Sequence, residues 1–150
     1  MKFYLAASYG RFHEIRQYSL ALEEAGHIVT SSWCKGEYLE NDADLLSPQY
    51  EHLAHEVLAT DLGDLSNCDA LVAFTESGDV SARGGRHVEM GIAIGMGKRL
   101  FVVGCCENLF YLLAEHSRFD TFDDFLRWLS SCDDPEYIDL RHRERIKNSV

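Results

Sequence analysis

Two acidic residues stand where the surrounding pattern makes a carboxylate informative. Asp61 falls on the same helical face as a run of apolar residues at positions 50, 53, 54, 57, 58, 62 and 65. A carboxylate on a core-facing stripe loses hydration and must be hydrogen-bonded, paired or protonated. The pattern therefore indicates either a functional role for Asp61 or a position at the open end of the helix, where solvent reaches it. Asp64, one turn on, is predicted to be a solvated surface residue.

The second acidic residue, Glu89, follows a segment rich in glycine and arginine that links a strand to a helix. Gly84 and Gly85 allow the backbone to approach a ligand closely, and a helix N-terminus presents unpaired N–H groups to an anion. Local positive charge comes from three neighbours: Arg83, Arg86 and His87. The segment is neither G-x-G-x-x-G nor a P-loop. A solvated glycine-rich turn, with Glu89 complementing the helix dipole, remains the alternative.

The turn after the first strand-like run also contains residues suited to an anion. Ser8 and Arg11 follow small residues there, and a hydroxyl and a guanidinium at a strand-to-helix turn can hold an anionic group. An ordinary turn with a helix cap at Ser8 fits equally well. Trp33 and Tyr38 lie in a long irregular segment, where they could stack on a planar base or serve as half-buried anchors.

Four short apolar runs without alternation predict buried parallel strands. The runs are Phe3–Ala6, Ala70–Phe74, Leu100–Val103 and, more weakly, Ile28–Ser31. Helical patterns lie between and after them: an Ile15, Tyr18, Leu22 stripe that stops at Gly26, a helix opened by Ser47-Pro48, a helix from about Arg86 to Met96, and a last helix that begins with a Thr121–Asp124 capping box.

This alternation predicts an α/β fold in which helices cover both faces of a parallel sheet. Such sheets bind ligands beyond the carboxyl ends of their strands. The segments that reach this edge are 7–12, 75–89 and 104–110. One domain is expected over residues 1–132, followed by a polar tail at 133–150 that is either a frayed end or an arm for subunit contact.

Composition excludes several classes of partner. A 150-residue chain with 46% hydrophobic residues can bury a core, and its formal charge of -11 disfavours a nucleic-acid polymer or an anionic membrane surface. No apolar run approaches the ~20 residues of a membrane helix, and the N-terminus lacks a secretory pattern. A cytoplasmic location is therefore expected. The five cysteines show no metal spacing, so neither a disulfide nor a metal site is expected, and no cofactor is implied.

Taken together, three blocks resemble the nucleoside 2-deoxyribosyltransferase superfamily, which includes deoxynucleoside 5'-monophosphate N-glycosidases. The blocks are Lys2–Ser8, Asp61-Leu62 ahead of Asp69–Val72, and Gly84–Gly91 ahead of Gly97-Lys98. The resemblance covers about residues 1–130. It implies a three-layer flavodoxin-like or Rossmann-like fold, with a parallel sheet of about five strands, and cleavage of an N-glycosidic bond.

The resemblance also implies roles for individual residues. Glu89 would attack the anomeric carbon, Asp61 would assist at the sugar or leaving base, and Tyr4 would orient the glutamate. Ser8 and Arg11 fall where the monophosphate branch holds its phosphate. The transferase branch carries an aspartate where this chain has Arg83, which favours an anion nearby. Members of this superfamily complete the site from a neighbouring subunit, so a homodimer or higher homo-oligomer is implied, with Asn108 in the contributing loop.

The expected function is cleavage of the N-glycosidic bond of a small nucleoside or nucleoside 5'-monophosphate, by hydrolysis or by base exchange. Substrate contacts are expected from Ser8, Arg11, Arg83, Gly84, Gly85 and Asn108. The alternative from another class is a non-catalytic nucleotide-binding module that senses its ligand. A hydrolase of ribosyl phosphates, with a Gly-Gly-x-x-x-Glu loop, is a second enzymatic alternative.

Overall fold

The computed structural model describes residues 1–36, 47–75, 84–114 and 117–132 of the chain. Its five strands are β1 (Lys2–Ala6), β2 (Ile28–Val29), β3 (Ala70–Phe74), β4 (Arg99–Val103) and β5 (Arg118–Phe119). All pair in parallel in one sheet, in the order β2-β1-β3-β4-β5. This order is that of a doubly wound flavodoxin-like sheet, so the predicted fold class is confirmed.

Four α-helices join the strands: α1 (Phe12–Glu24), α2 (Glu51–Asn67), α3 (Gly85–Gly95) and α4 (Phe122–Cys132). Short 3₁₀ helices precede or follow them at Tyr9–Arg11, Ser32–Cys34, Pro48–Tyr50 and Leu109–Ala114. The stop at Gly26 is confirmed by its positive φ of 83°. The capping box of α4 is also confirmed, because the backbone N–H of Asp124 donates to Thr121 Oγ1 at 3.1 Å while the Thr121 hydroxyl donates to the Asp124 carboxylate.

Side chains that alternate along the strands build two cores, one on each face of the sheet. Phe3, Leu5 and Phe101 belong to the core covered by α1 and α4. Tyr4 and Ala6 belong to the core covered by α2, α3 and the Leu109–Ala114 helix. The molecule is therefore three-layered, and the face to which Tyr4 belongs is the face on which α2 and α3 lie.

Three sequence expectations need correction or extension. The weak strand expected at Ile28–Ser31 ends at Val29. Ser31 contacts β1 through a side-chain hydrogen bond and not through the backbone hydrogen bonds of a strand. The apolar stripe of α2 is only partly covered, since Leu65 on it is buried while Leu58 is 54% exposed. The fifth strand comprises two residues, too few to give an apolar run in the sequence.

The carboxyl ends of β3 and β4 meet closely. Gly104 follows β4 with φ 111°, and a Cβ there would lie 2.3 Å from Thr75 Oγ1, so only glycine fits at this turn. The chain beyond Gly104 then crosses the sheet edge towards Glu107. Within the described residues, no helix is both long and apolar enough to cross a membrane.

Candidate active site

The centre of the site is a hydrogen bond between β1 and α3. Tyr4 is fully buried on β1, and its hydroxyl donates to Oε1 of Glu89 at 2.7 Å. Glu89 lies in the second turn of α3, which begins after Gly84 in a left-handed conformation with φ 85°. Gly84 directly precedes α3, and the second turn of that helix reaches Tyr4 on β1.

Burial dominates the electrostatics of this pair. It raises the pKa of Glu89 to about 7, the Tyr4 hydrogen bond opposes that rise, and the charge of Asp61 adds to it. Burial and the neighbouring carboxylates raise the pKa of Tyr4 far above its usual range, so its hydroxyl stays protonated and acts as a donor. Glu89 is therefore divided between its acid and its carboxylate near neutral pH.

Asp61 on α2 supplies the second carboxyl group of the site. Burial raises the pKa of Asp61 to about 6, and the charge of Asp64 adds to the rise. The charge of Asp61 in turn raises the pKa of both Glu89 and Tyr4, which sets these three groups in mutual electrostatic contact. The sequence expectation that Asp61 is an unusual carboxylate on its helix therefore matches its environment in the fold.

Asp64 is not the solvated surface residue that the sequence predicts. It is partly buried, and its Oδ2 accepts a hydrogen bond of 2.7 Å from the backbone N–H of Ser32. This bond connects α2 to the segment after β2. Asp64 thus belongs to the surroundings of the site.

Arg86 also differs from the expectation of a cation that faces a ligand. It is 4% exposed, and its Nη1 donates to the carbonyl of Phe74 at 2.9 Å. Its Nη2 lies 2.7 and 2.6 Å from the two carboxylate oxygens of Glu107. The Tyr111 hydroxyl donates to the same carboxylate at 3.1 Å. This ion pair fastens the first turn of α3 to the end of β3 and to the loop after β4.

Asn108 and His87 lie at the outer side of this ion pair. Asn108 Oδ1 accepts the backbone N–H of Phe110 at 2.9 Å, so the side chain caps the Leu109–Ala114 helix of its own chain. Its Nδ2 lies 3.4 Å from His87 Nδ1, and the Tyr111 hydroxyl lies 3.1 Å from the same nitrogen. In its own chain, Asn108 therefore has a local structural role.

Arg11 and Ser8 lie at the carboxyl end of β1, as expected. Arg11 Nε and Nη2 donate to the Glu14 carboxylate at 2.6 and 2.7 Å, and Nη1 donates to the carbonyl of Thr75 at 3.1 Å. Ser8 precedes the Tyr9–Arg11 helix but makes no side-chain capping bond. The cap alternative for Ser8 thus has no hydrogen bond to support it, while the Arg11 cation is held by a carboxylate of the following helix, α1.

Open space adjoins the start of α3. A Cβ placed on Gly84 or Gly85 would meet no atom of the described residues within 4 Å. Arg83 and Tyr38, and the tail at 133–150, lie outside the described residues. Among the residues that are described, no cluster of His, Cys, Asp or Glu is arranged to hold a metal ion.

The fold thus brings Tyr4, Asp61 and Glu89 together from three distant parts of the chain. The residues that sequence reasoning missed are Glu14, Asp64 and Tyr111. For the first two a signal existed, because Arg11–Glu14 and Asp61–Asp64 are each spaced to share a helix face. Tyr111 carries no comparable signal, since its partners are remote in the sequence or lie in a loop.

Solved structures share this architecture. The CMP N-glycosidase BcmB of Clostridium botulinum is 21% identical, with a TM-score of 0.53, and the match covers 87% of this chain and 98% of that chain. A 2-deoxyribosyltransferase of Bacillus psychrosaccharolyticus is 20% identical, with a TM-score of 0.56, over 83% of this chain and 89% of that one. This chain has their fold. No family model and no curated protein sequence matches it.

The names of these two enzymes correspond to the two activities of the superfamily that the sequence resembles. The three-layer fold implied by that resemblance is therefore confirmed by an independent comparison of coordinates. At these identities the similarity concerns the fold, so the assignment of chemistry depends on the site itself.

Proposed function

We propose that this protein is an enzyme that cleaves the N-glycosidic bond of a small nucleoside or nucleoside 5'-monophosphate, with Glu89 as the nucleophile. The observation that carries the proposal is the Tyr4–Glu89 hydrogen bond of 2.7 Å beside Asp61 at the carboxyl edge of the sheet. The shared fold with an N-glycosidase and a deoxyribosyltransferase supports the same reaction class.

The reaction needs one carboxylate and one acid. Tyr4 holds Oε1 of Glu89, so Oε2 attacks the anomeric carbon as the bond to the base breaks and its electron pair leaves with the base. Asp61 gives its proton to the departing base nitrogen. Water then attacks the glycosyl ester, returns a proton to Asp61 and restores the Glu89 carboxylate. A second base in place of water would give base exchange.

Both carboxyl groups can take either form near neutral pH, because burial raises the pKa of Glu89 to about 7 and that of Asp61 to about 6. The proposed reaction proceeds from the fraction of molecules in which Glu89 is ionised and Asp61 is protonated, and the Glu89 carboxylate stabilises the positive charge that develops on the sugar in the transition state. The raised pKa of Asp61, about 6, keeps part of the population protonated near neutral pH, where it can act as the acid. Tyr4 remains a neutral donor that orients Glu89.

The phosphate of a monophosphate substrate would bind at the open edge beside Arg11 and Ser8. The guanidinium of Arg11 is fixed there by Glu14 and by the Thr75 carbonyl, so its position is set before the ligand arrives. Backbone N–H groups at Gly84 and Gly85, together with Arg83, complete the proposed contacts with the sugar and phosphate.

We further propose that a second copy of the chain covers the layer formed by α2, α3 and the Leu109–Ala114 helix. Large apolar side chains are exposed there: Leu58 54%, Leu62 38%, Val88 63%, Leu109 75%, Phe110 67% and Leu113 62%. A concentration of this kind is typical of an interface. The protein would then be a homodimer or higher oligomer, acting in the cytoplasm, and Asn108 of one copy would adjoin the site of the other.

The test is incubation with a panel of ribo- and deoxyribonucleosides and their 5'-monophosphates, followed by chromatography for free base. We expect base release by the native protein and a fall in kcat of several orders of magnitude in Glu89→Gln, which keeps an oxygen for Tyr4. Glu24→Gln, at the exposed end of α1, is the matched control and should retain full activity. Arg11→Ala should mainly raise KM for phosphorylated substrates.

Three results would contradict parts of this proposal. Equal rates in the native protein and Glu89→Gln would remove the nucleophile assignment. Equal kcat/KM for nucleosides and monophosphates would remove the phosphate assignment. Tight binding of nucleotides with no base release from any of them would favour the non-catalytic binding module.

A further inference from the structure

Asp64 connects helix α2 to the Ser32–Cys34 helix. The proposed reaction does not use this connection. It follows Asp61 by one turn of α2, so both side chains lie on the same side of the helix. Its Oδ2 accepts the backbone N–H of Ser32 at 2.7 Å. Ser32 opens the Ser32–Cys34 helix immediately after the β2 region, so this bond fixes that helix to α2.

The Ser32–Cys34 helix is also fixed to β1, at the residue after Tyr4. Ser31 Oγ accepts the backbone N–H of Leu5 at 2.6 Å, and Trp33 Nε1 donates to the Leu5 carbonyl at 2.9 Å. The indole of Trp33 is half-buried and lies 6.1 Å from the ring of Tyr9, which belongs to the Ser8–Arg11 turn. One short segment therefore contacts the strand of Tyr4, the helix of Asp61 and the proposed phosphate turn.

We propose that Asp64 is a positioning residue of the site, which holds Trp33 in place through Ser32 and sets a negative charge beside Asp61. This inference rests on the proposed function. The hydrogen bond between Ser32 and Asp64 fixes the position of Trp33 at one side of the site. The charge adds to the effect of burial on the pKa of Asp61, because a nearby negative charge disfavours a second one.

In the described part of the chain, the cations near this segment are held by other partners. Asp61 has electrostatic contact with Asp64 on its own helix, with Glu89 on α3 and with Tyr4 on β1. Arg86 on α3 acts on Glu89, and its guanidinium is engaged by Glu107. Lys35, next to the Ser32–Cys34 helix, is bound by Glu23 and by the Val29 carbonyl.

The test separates position from charge by comparing Asp64→Asn with Asp64→Ala. Asparagine keeps an oxygen for the Ser32 N–H and removes the charge, whereas alanine removes both. Carbon-13 NMR of the carboxyl groups reports the titration of Asp61, and tryptophan emission reports Trp33 in a Trp128→Phe background, since the chain has 2 tryptophans. Asp123→Asn, exposed on α4, is the control.

In both variants we expect Asp61 to titrate at lower pH than in the native protein, by roughly half a unit or more. Base release at pH 7 and above should fall in both variants, because a smaller fraction of Asp61 is protonated there. Only Asp64→Ala should also change Trp33 emission and raise KM. Unchanged titration and unchanged emission in both variants would overturn the inference. Titration and emission need no turnover, so a native protein that releases no base would refute the proposed function separately.

Discussion

At the scale of single residues, Glu89 illustrates a conflict between function and stability. Burial raises its pKa from an ordinary 4.5 to about 7, so the folded protein binds a proton there more tightly than the unfolded chain does. A carboxyl group whose pKa rises on folding stabilises the fold least at the pH values where it is ionised. Its contribution is therefore present below about pH 4.5 and is lost as the pH rises through about 7.

Replacement of Glu89 by glutamine removes this ionisation and keeps an acceptor for Tyr4. We expect Glu89→Gln to match the native protein in stability near pH 4 and to exceed it by about 1–3 kcal/mol at pH 8. Urea denaturation across this pH range measures the difference. For Glu24→Gln, the difference in unfolding free energy from the native protein should not grow with pH. A gap that is constant or absent at every pH would mean that Glu89 is not held in the buried environment described above.

At the scale of elements, the ion pair between Arg86 and Glu107 joins the start of α3 to the loop after β4. The side chain of Arg86 is 3% exposed and that of Glu107 18%, whereas the Lys35–Glu23 pair is 40% and 39% exposed. Loss of one partner from a buried pair leaves a charge without its compensation. We expect Glu107→Ala to cost about 2–4 kcal/mol and to lower kcat, because the first turn of α3 precedes Glu89.

The surface pair supplies the matched control for this prediction. Glu23→Ala should cost no more than about 1 kcal/mol and leave base release unchanged, since exposed ion pairs contribute little. Glu107→Gln should fall between the native protein and Glu107→Ala, because it keeps an oxygen for Arg86. Chemical denaturation and base release measure both effects. Equal losses in Glu107→Ala and Glu23→Ala would show that the ion pair does not fasten α3.

Much of this element structure could be predicted from the sequence, for physical reasons that also explain the failures. Buried parallel strands are apolar on both faces, which makes Ala70–Phe74 visible, but a two-residue edge strand such as β5 is too short for any pattern. The apolar stripe of α2 predicts a helix, yet whether that stripe is covered within the chain depends on its neighbours. The role of Arg86 could not be predicted, because glycines before a helix favour an anion-binding site. Its partner in the fold is Glu107, which lies 21 residues away in a loop.

At the scale of the whole molecule, the parallel topology is what assembles the site. Tyr4 belongs to a strand in the interior of the sheet, Asp61 to the helix before β3 and Glu89 to the helix after it. Because crossovers place α2 and α3 on the same face, the two carboxyl groups approach the Tyr4 side of β1. The sequence pattern indicates Asp61 and the glycine-rich segment that leads to Glu89, whereas Tyr4 is implied by the family resemblance alone. That the three side chains meet depends on the fold.

The same topology leaves one layer exposed, and this leads to a prediction about assembly. The uncovered residues of α2 and α3 lie in one layer with the Leu109–Ala114 helix, where Phe110 is 67% and Leu113 is 62% exposed. Burying such side chains against a second copy would gain about 1.5–3 kcal/mol for each of them. A charge placed among them would have to be desolvated at the interface, which opposes association.

We therefore expect the native protein to sediment as a dimer or larger species and Phe110→Glu to sediment as the 17.1 kDa monomer. Leu20→Glu, which changes a 47% exposed leucine on α1 in the opposite layer, should leave the assembly intact. If the second copy contributes to the site, base release should fall together with dissociation and recover at high protein concentration. A native protein that sediments as a monomer at every concentration would contradict the proposed second copy on this layer.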